Sequence, residues 1–261
     1  MDIKPFIPDL ATIPPLFHSL LNGTAVYDSS CSKEARVLFI QRHGGYYLKS
    51  APAGTLKTEA DMTAYFHSKG LSAEVLAYET AEQDWLLTRR IQGEDCLSTQ
   101  YVEDPVRLCD TTAHLLRMLH DSDSFGCPVI NRTAAYISNA LNNFQCNRYD
   151  KSHFPDNWGY ASAVDALRVI ERDASYLKAD TLLHGDYCLP NILLDNWKFS
   201  GFIDLGSGGM GDRHIDLFWG IWSLWFNLKT DRYRNRFLDA YGRTDINEDV
   251  FHVVAAIEVF G

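Results

Sequence analysis

The sequence predicts an α+β protein of two unlike lobes, a small antiparallel β-rich lobe over residues 1–91 and a mainly helical lobe over 92–261. Two observations predict it. Up to residue 91, short β-prone runs alternate with turn residues; beyond it, long stretches carry apolar residues at helical spacing. The composition, 46% hydrophobic and 22% charged, is that of a chain that buries a real core. No internal repeat or low-complexity segment interrupts it.

In the first lobe, Arg36-Val37-Leu38-Phe39-Ile40 and Tyr46-Tyr47-Leu48-Lys49 flank the turn-like Gln41-Arg42-His43-Gly44-Gly45, which predicts a β-hairpin. Thr58 to Lys69 places Ala60, Met62, Tyr65 and Phe66 at near-helical spacing and stops at Gly70, predicting a helix. Trp85-Leu86-Leu87-Thr88 reads as a buried strand, and the polar Gln92-Gly93-Glu94-Asp95 as a turn at the lobe boundary. In the second lobe, Val106 to His120 forms a core helix behind the start signal Asp104-Pro105, with Met118 and His120 as packing residues. Leu141 to Trp158 shows no clear period and reads as an irregular insertion. Helices resume at Ala161 to Leu177, His214 to Leu228, Asp231 to Tyr241 and Asn247 to Phe260.

The formal charge of −10 disfavours a nucleic-acid partner, which needs a basic surface, and suits a cationic ligand. Acidity also serves solubility alone. The longest apolar stretch, Leu217 to Leu228, is broken by Gly220, Ser223 and Asn227 and is too short to span a bilayer, so no membrane partner is expected. The start, Met1-Asp2-Ile3-Lys4-Pro5, lacks the pattern of a secretory signal. Six scattered cysteines without a Cys-x-x-Cys pair read as reduced thiols, and together these features point to a cytoplasmic protein.

The informative stretch is 182–206. His184-Gly185-Asp186 is followed five residues later by Asn191; a β-hairpin follows, and Phe202-Ile203 delivers Asp204-Leu205-Gly206 at a strand end. This matches the protein-kinase arrangement of a catalytic-loop Asp, an Asn five positions on, and a later Asp-x-Gly. Phosphoryl transfer needs an oriented hydroxyl and a cation bridging phosphate oxygens. Asp186 would orient the acceptor and take its proton. Asn191 and Asp204 would supply the hard oxygen ligands that Mg²⁺ prefers. His184 is read as a structural residue of the loop.

Lys49, at the end of the hairpin strand, stands where the same plan puts its phosphate-binding lysine, and Glu59 on the next helix would pair with it. Lys57 and Glu34 are the weaker candidates for those two roles. Asp28 to Ser32, with Ser29 and Ser30 at its centre, would lay backbone N–H groups over the phosphates.

Leu183 to Asn191 and Phe199 to Gly206 closely resemble the aminoglycoside 3'-phosphotransferase family, and Leu119 to Asp123, Cys127-Pro128, Lys49, Gly211 to Asp216 and the segment near Glu258 and Phe260 follow in the same order. The resemblance spans roughly residues 25–261 and is strongest over 182–216. It implies a two-lobed protein-kinase-like fold, ATP or GTP with Mg²⁺ beneath a hinge near Arg89 to Ile91, and transfer of the γ-phosphate to a hydroxyl of an aminoglycoside-like antibiotic. The acceptor would be held by acidic residues: Glu258, with Asp150 and Asp156 as weaker candidates. A monomer or homodimer is expected.

The sequence departs from the family at Ser207, where many members have Arg, in the aromatic run Trp219, Trp222, Trp225 and Phe226, and in the less acidic Ile257 to Gly261. A polycation wants several carboxylates, so the reaction is better supported than the acceptor. A choline-like, sugar or other antibiotic acceptor is the first alternative. A non-catalytic nucleotide-binding protein is the second, and the intact Lys49, Asp186, Asn191 and Asp204 argue against it. Gly206-Ser207-Gly208-Gly209-Met210-Gly211 fits Gly-x-Gly-x-x-Gly, but a helical, Trp-rich segment follows where a dinucleotide fold needs a second strand, so these glycines read as a flexible loop. His184 and Cys188 lack the second pair of a zinc site, and no nucleophile elbow supports a serine hydrolase.

Overall fold

The computed structural model describes residues 4–149 and 159–261, which fold as two units: the chain up to Gly93 with Ser200–Gly206, and Glu94–Phe199 with Ser207–Gly261. In the first unit, strands β1 (Lys4–Phe6), β2 (Val26–Asp28), β3 (Arg36–Ile40), β4 (Tyr46–Pro52), β5 (Val75–Thr80) and β6 (Gln83–Arg89) form one antiparallel sheet, in the order β1-β2-β3-β4-β6-β5. The expected hairpin is β3–β4, in register from Arg36 opposite Ser50 to Ile40 opposite Tyr46. Helix α1 (Pro15–Leu21) buries Phe17 and Leu21 among Leu38, Ile40, Leu48, Trp85 and Leu87. Helix α2 (Lys57–Ser68), close to its expected bounds, packs Ala60 with Ala51, Leu56 and Leu86.

Side chains alternate across a strand. Leu48 therefore joins the α1 cluster, while Lys49, opposite Leu86 in register, belongs to the α2 face. This single step of pleat aims the lysine at α2 and, with it, at Glu59.

The second unit opens with β7 (Glu94–Asp95), short helix α3 (Thr99–Val102), α4 (Pro105–His120), α5 (Arg132–Gln145) and α6 (Ala163–Asp173). Strand β8 (Thr181–Leu183) leads into the 184–191 loop; β9 (Ile192–Asp195) and β10 (Lys198–Phe202) form the expected hairpin, turned by Asn196 and Trp197, both at positive φ. Strand β11 (Gly209–Gly211), α7 (Arg213–Leu228), α8 (Arg234–Tyr241) and α9 (Phe251–Glu258) complete it. Helix α4 buries Leu108, Cys109, Thr112, Ala113, Leu116 and Leu119, one stripe at three- and four-residue spacing. Among the described residues, no helix is long and apolar enough to cross a membrane.

Four expectations need correction. Leu141–Gln145 is not irregular but the last part of α5, whose inner positions Thr133, Tyr136, Ile137, Ala140, Leu141 and Phe144 do keep helical spacing. Thr, Tyr and Ala blur the apolar contrast there. The turn-like Glu94-Asp95 is a strand paired with Leu193 and Leu194, too short to show a period. The loop expected at Gly209–Gly211 is a strand paired with β8. A Cβ on Gly211 would lie 2.5 Å from Leu183 Cδ1, so glycine serves close approach rather than flexibility. The last two helices start later than expected, at Arg234 and Phe251.

Candidate active site

In the first unit, Lys49 Nζ donates to both Glu59 carboxylate oxygens, at 2.9 and 2.8 Å, and to Asp204 Oδ1 at 2.7 Å. Burial pulls the lysine pKa down, but Asp204 and Glu59 outweigh it and leave it raised. Burial raises the Glu59 pKa, with Lys49 opposing. The Ser200–Gly206 segment is tied down by Phe202, whose N–H donates to Leu71 O and whose carbonyl accepts from Ser72 Oγ, each at 2.8 Å. Asp204 itself stands in the left-handed region at φ 59, a conformation that non-glycine residues adopt when the surroundings impose it.

The weaker alternatives stay apart from this cluster. Lys57 pairs with Asp61 on the surface, and Glu34 is exposed. The phosphate-covering role expected of Ser29 and Ser30 does not fit. Ser29 N–H donates to Val37 O, and Ser30 N–H to the Asp28 carboxylate, so both donors are spent within the turn. Arg89 ends β6 and pairs with Glu74, while Ile91 packs on Gly201.

In the second unit, Asn191 Nδ2 donates to the Asp186 carbonyl at 3.0 Å and to its Oδ2 at 2.9 Å. Both amide hydrogens are thereby committed, which turns the carboxamide oxygen the other way. The loop is anchored at several points. Tyr187 Oη donates to Thr112 O on α4, and Leu189 N–H to Ser223 Oγ on α7. Gly185 stands at φ 85, and a Cβ there would lie 1.8 Å from the Ser207 carbonyl oxygen, so only glycine lets these two loops touch.

The sequence reasoning missed the residue that holds this loop. Asp216 on α7, fully buried, accepts from the His184 and Gly185 N–H groups, both at 2.7 Å, and meets His120 Nε2 at 3.2 Å. Burial keeps the His120 pKa low. Because the Asp216 carboxylate can only accept, Nε2 is the ring nitrogen that donates to it, and Nδ1 meets Tyr241 Oη at 2.8 Å. His120, read as packing, is thus also a polar support, and its only sequence signal is its place beside the loop in the ordered set of family-like segments.

Asp186, Gly185, Ser207 and Glu258 line one pocket of about 440 Å³ with Tyr136 and Trp219. Glu258 is buried, and its Oε1 accepts from Tyr136 Oη at 2.5 Å and Trp219 Nε1 at 2.8 Å. Burial pushes its pKa up to about 7, Asp186 adds to the rise, and the two donors oppose it. Asp150 and Asp156 lie outside the described residues. Of the aromatic run, Trp219 belongs to this pocket, whereas Trp222 and Trp225 line a separate apolar pocket of about 410 Å³ with Phe218, Tyr233 and Phe251.

Comparison with known proteins bears on the fold and the family. The model of the phosphotransferase enzyme family matches residues 31–254. A probable aminoglycoside 3'-phosphotransferase of Lactococcus lactis subsp. lactis is 48% identical over 254 residues, 97% of each chain. An aminoglycoside 3'-phosphotransferase of Niallia circulans is 28% identical over 219 residues, 82% of this chain and 83% of that one. Among solved structures, an aminoglycoside-3'-phosphotransferase of type VIII has a TM-score of 0.74 at 22% identity, covering 99% of this chain and 94% of its own. An aminoglycoside phosphotransferase from Streptomyces rimosus, also solved with ADP and streptomycin, has a TM-score of 0.76 at 20% identity, covering 98% and 100%. These structures establish a protein-kinase-like fold. Matched over most of its length by the family model and by a relative of nearly half identical residues, the chain belongs to the phosphotransferase enzyme family that includes the aminoglycoside 3'-phosphotransferases.

Proposed function

We propose that the protein transfers the γ-phosphoryl group of ATP, or GTP, to a hydroxyl of an aminoglycoside-like acceptor. The observation that carries this reading is the Asp186–Asn191 pair at a pocket whose lining also offers a second carboxylate, Glu258. In it, Asp186 accepts the proton of the attacking hydroxyl while Asn191 fixes its carboxylate. Lys49, held by Glu59, takes nucleotide phosphate oxygens, and the backbone from Arg89 to Ile91 borders the base. Glu258 takes an ammonium group of the acceptor. The aminoglycoside class itself comes from the named relatives.

Asn191 and Asp204 are the residues that would hold Mg²⁺. Their donor chemistry fits: a carboxamide oxygen turned away from Asp186 and a carboxylate oxygen are hard ligands. Among the described residues no three His, Cys, Asp or Glu side chains cluster into a metal site, so these two oxygens suit an ion that arrives with phosphate and water oxygens. When bound, Mg²⁺ supplies charge neutralisation along the phosphates. The six cysteines are free thiols, in keeping with work in the cytoplasm.

An acceptor panel with γ-labelled ATP and Mg²⁺ tests the reading, with kanamycin, streptomycin, choline and a simple sugar as probes. Label on an aminoglycoside is the expected result. Label on choline with none on kanamycin would replace the acceptor class, and no transfer to any alcohol would remove the reading.

A further inference from the structure

The pocket that holds Asp186 and Glu258 is also lined by Arg132, the first residue of α5. This arginine differs from the others of its unit, where even those without an ion pair have a partner: Arg107 lies over the Trp197 ring, and Arg148 and Arg232 donate to Asn143 and Tyr233. Arg117, Arg172, Arg213, Arg234, Arg236 and Arg243 of the same unit each reach a carboxylate oxygen within 3.2 Å. The Arg132 side chain makes no ion pair or hydrogen bond among the described residues. Burial lowers its pKa, and among the described residues no carboxylate offsets the cost. Glu258, by contrast, feels the charge of Asp186. The pocket lining therefore carries both signs: the carboxylates of Asp186 and Glu258, and a guanidinium that no described carboxylate compensates. Holding a guanidinium half-buried without a partner is costly, and the cost is offset when a ligand brings hydrogen-bond acceptors to it.

We infer that Arg132 is a specificity-determining residue of the acceptor pocket: it receives hydroxyl or other acceptor oxygens and repels any ammonium placed beside it. The fitting substrate is an amino-polyol that presents one ammonium to Glu258 and oxygens to Arg132, rather than a polycation with ammonium groups along its whole length. This inference rests on the proposal that the pocket takes the phosphate acceptor. A unit charge about 6 Å from an ammonium, at an effective dielectric constant of about 40, changes affinity by about tenfold.

Calorimetric binding of kanamycin, a polycation, to the full chain at low salt reads this directly. Arg132→Gln should bind about tenfold tighter than wild type, and Arg132→Glu tighter still. Arg132→Lys, which keeps the charge, should stay within about twofold, as should Lys198→Gln, which removes an exposed cation outside the pocket. In about 0.5 M salt the differences should shrink, because screening acts on charge and not on packing. Should Arg132→Gln fail to fold, Arg132→Glu gives the same reading, since an acid suits the first turn of a helix. Equal or weaker binding by the Gln and Glu forms, including no binding by any form, overturns the inference. Transfer of labelled phosphate is scored separately, so tighter binding without turnover would count against the phosphotransfer reading and leave the role of Arg132 standing.

Discussion

Replacing Asp216 by Asn removes one charge and one acceptor at the point where the 184–191 loop is tied down. The carboxylate receives two backbone N–H groups at 2.7 Å and the His120 ring at 3.2 Å, all without solvent. A carboxamide keeps a single acceptor oxygen and turns its NH₂ toward a donor. One buried N–H is left unsatisfied at about 1–3 kcal/mol. Loss of charge assistance on the remaining bonds adds about 1–2 kcal/mol, so roughly 2–5 kcal/mol is expected, a large share of a typical domain's stability. Because His184 and Gly185 directly precede Asp186, the carboxylate proposed as the base should drift with them. We expect a lower denaturation midpoint, kcat reduced about 10²-fold, and nucleotide affinity within about twofold. Chemical denaturation, steady-state kinetics and nucleotide titration measure these. An unchanged midpoint with kcat within about twofold would refute the reasoning.

Lys49→Met should weaken nucleotide binding and lower kcat/KM by at least about 10², since it deletes the cation that Glu59 and Asp204 hold in place; titration with ATP and Mg²⁺ reads the first and kinetics the second. For Glu258 the sign follows from its raised pKa. Its carboxyl stays protonated to about pH 7 in the fold against an ordinary value of 4.5, so the stability linked to that proton is present at low pH and fades as pH rises through about 7. Binding of a cationic acceptor should run the opposite way. KM should fall several-fold between about pH 6 and 8, and Glu258→Gln should flatten that profile. Gly185→Ala sets a Cβ 1.8 Å from the Ser207 carbonyl and should cost at least about 2 kcal/mol, visible as a lower melting temperature.

The parts of the site carried by local pattern could be read from the sequence. Lys49 follows from its place at the end of a hairpin strand, Glu59 from the next helix, and Asp186, Asn191 and Asp204 from kinase-like spacing around a hairpin. Each of those rules spans a few residues. Asp216, His120 and Tyr241 belong to three separate helices and meet only when α4, α7 and α8 pack together, and nothing in their flanking sequence marks a buried carboxylate. Arg132 is similar: an arginine at a helix start looks solvated until the pocket is known. The first-unit elements α1, β1 and β2 are not legible either, because three-residue strands and a seven-residue helix opening at Pro15 carry too few residues to show a period. The failure at Ser29 and Ser30 has another cause. A Ser-rich turn suggests open N–H groups, yet Ser29 N–H is spent on Val37 O and Ser30 N–H on the Asp28 carboxylate.

The proton-accepting role proposed for Asp186 is tested most directly by single-turnover transfer of labelled phosphate from ATP and Mg²⁺ to kanamycin, comparing wild type with Asp186→Ala at saturating nucleotide. A rate lower by roughly 10² to 10⁴, with nucleotide affinity retained, is the predicted result. An Asp186→Ala protein that transfers phosphate as fast as wild type would contradict it.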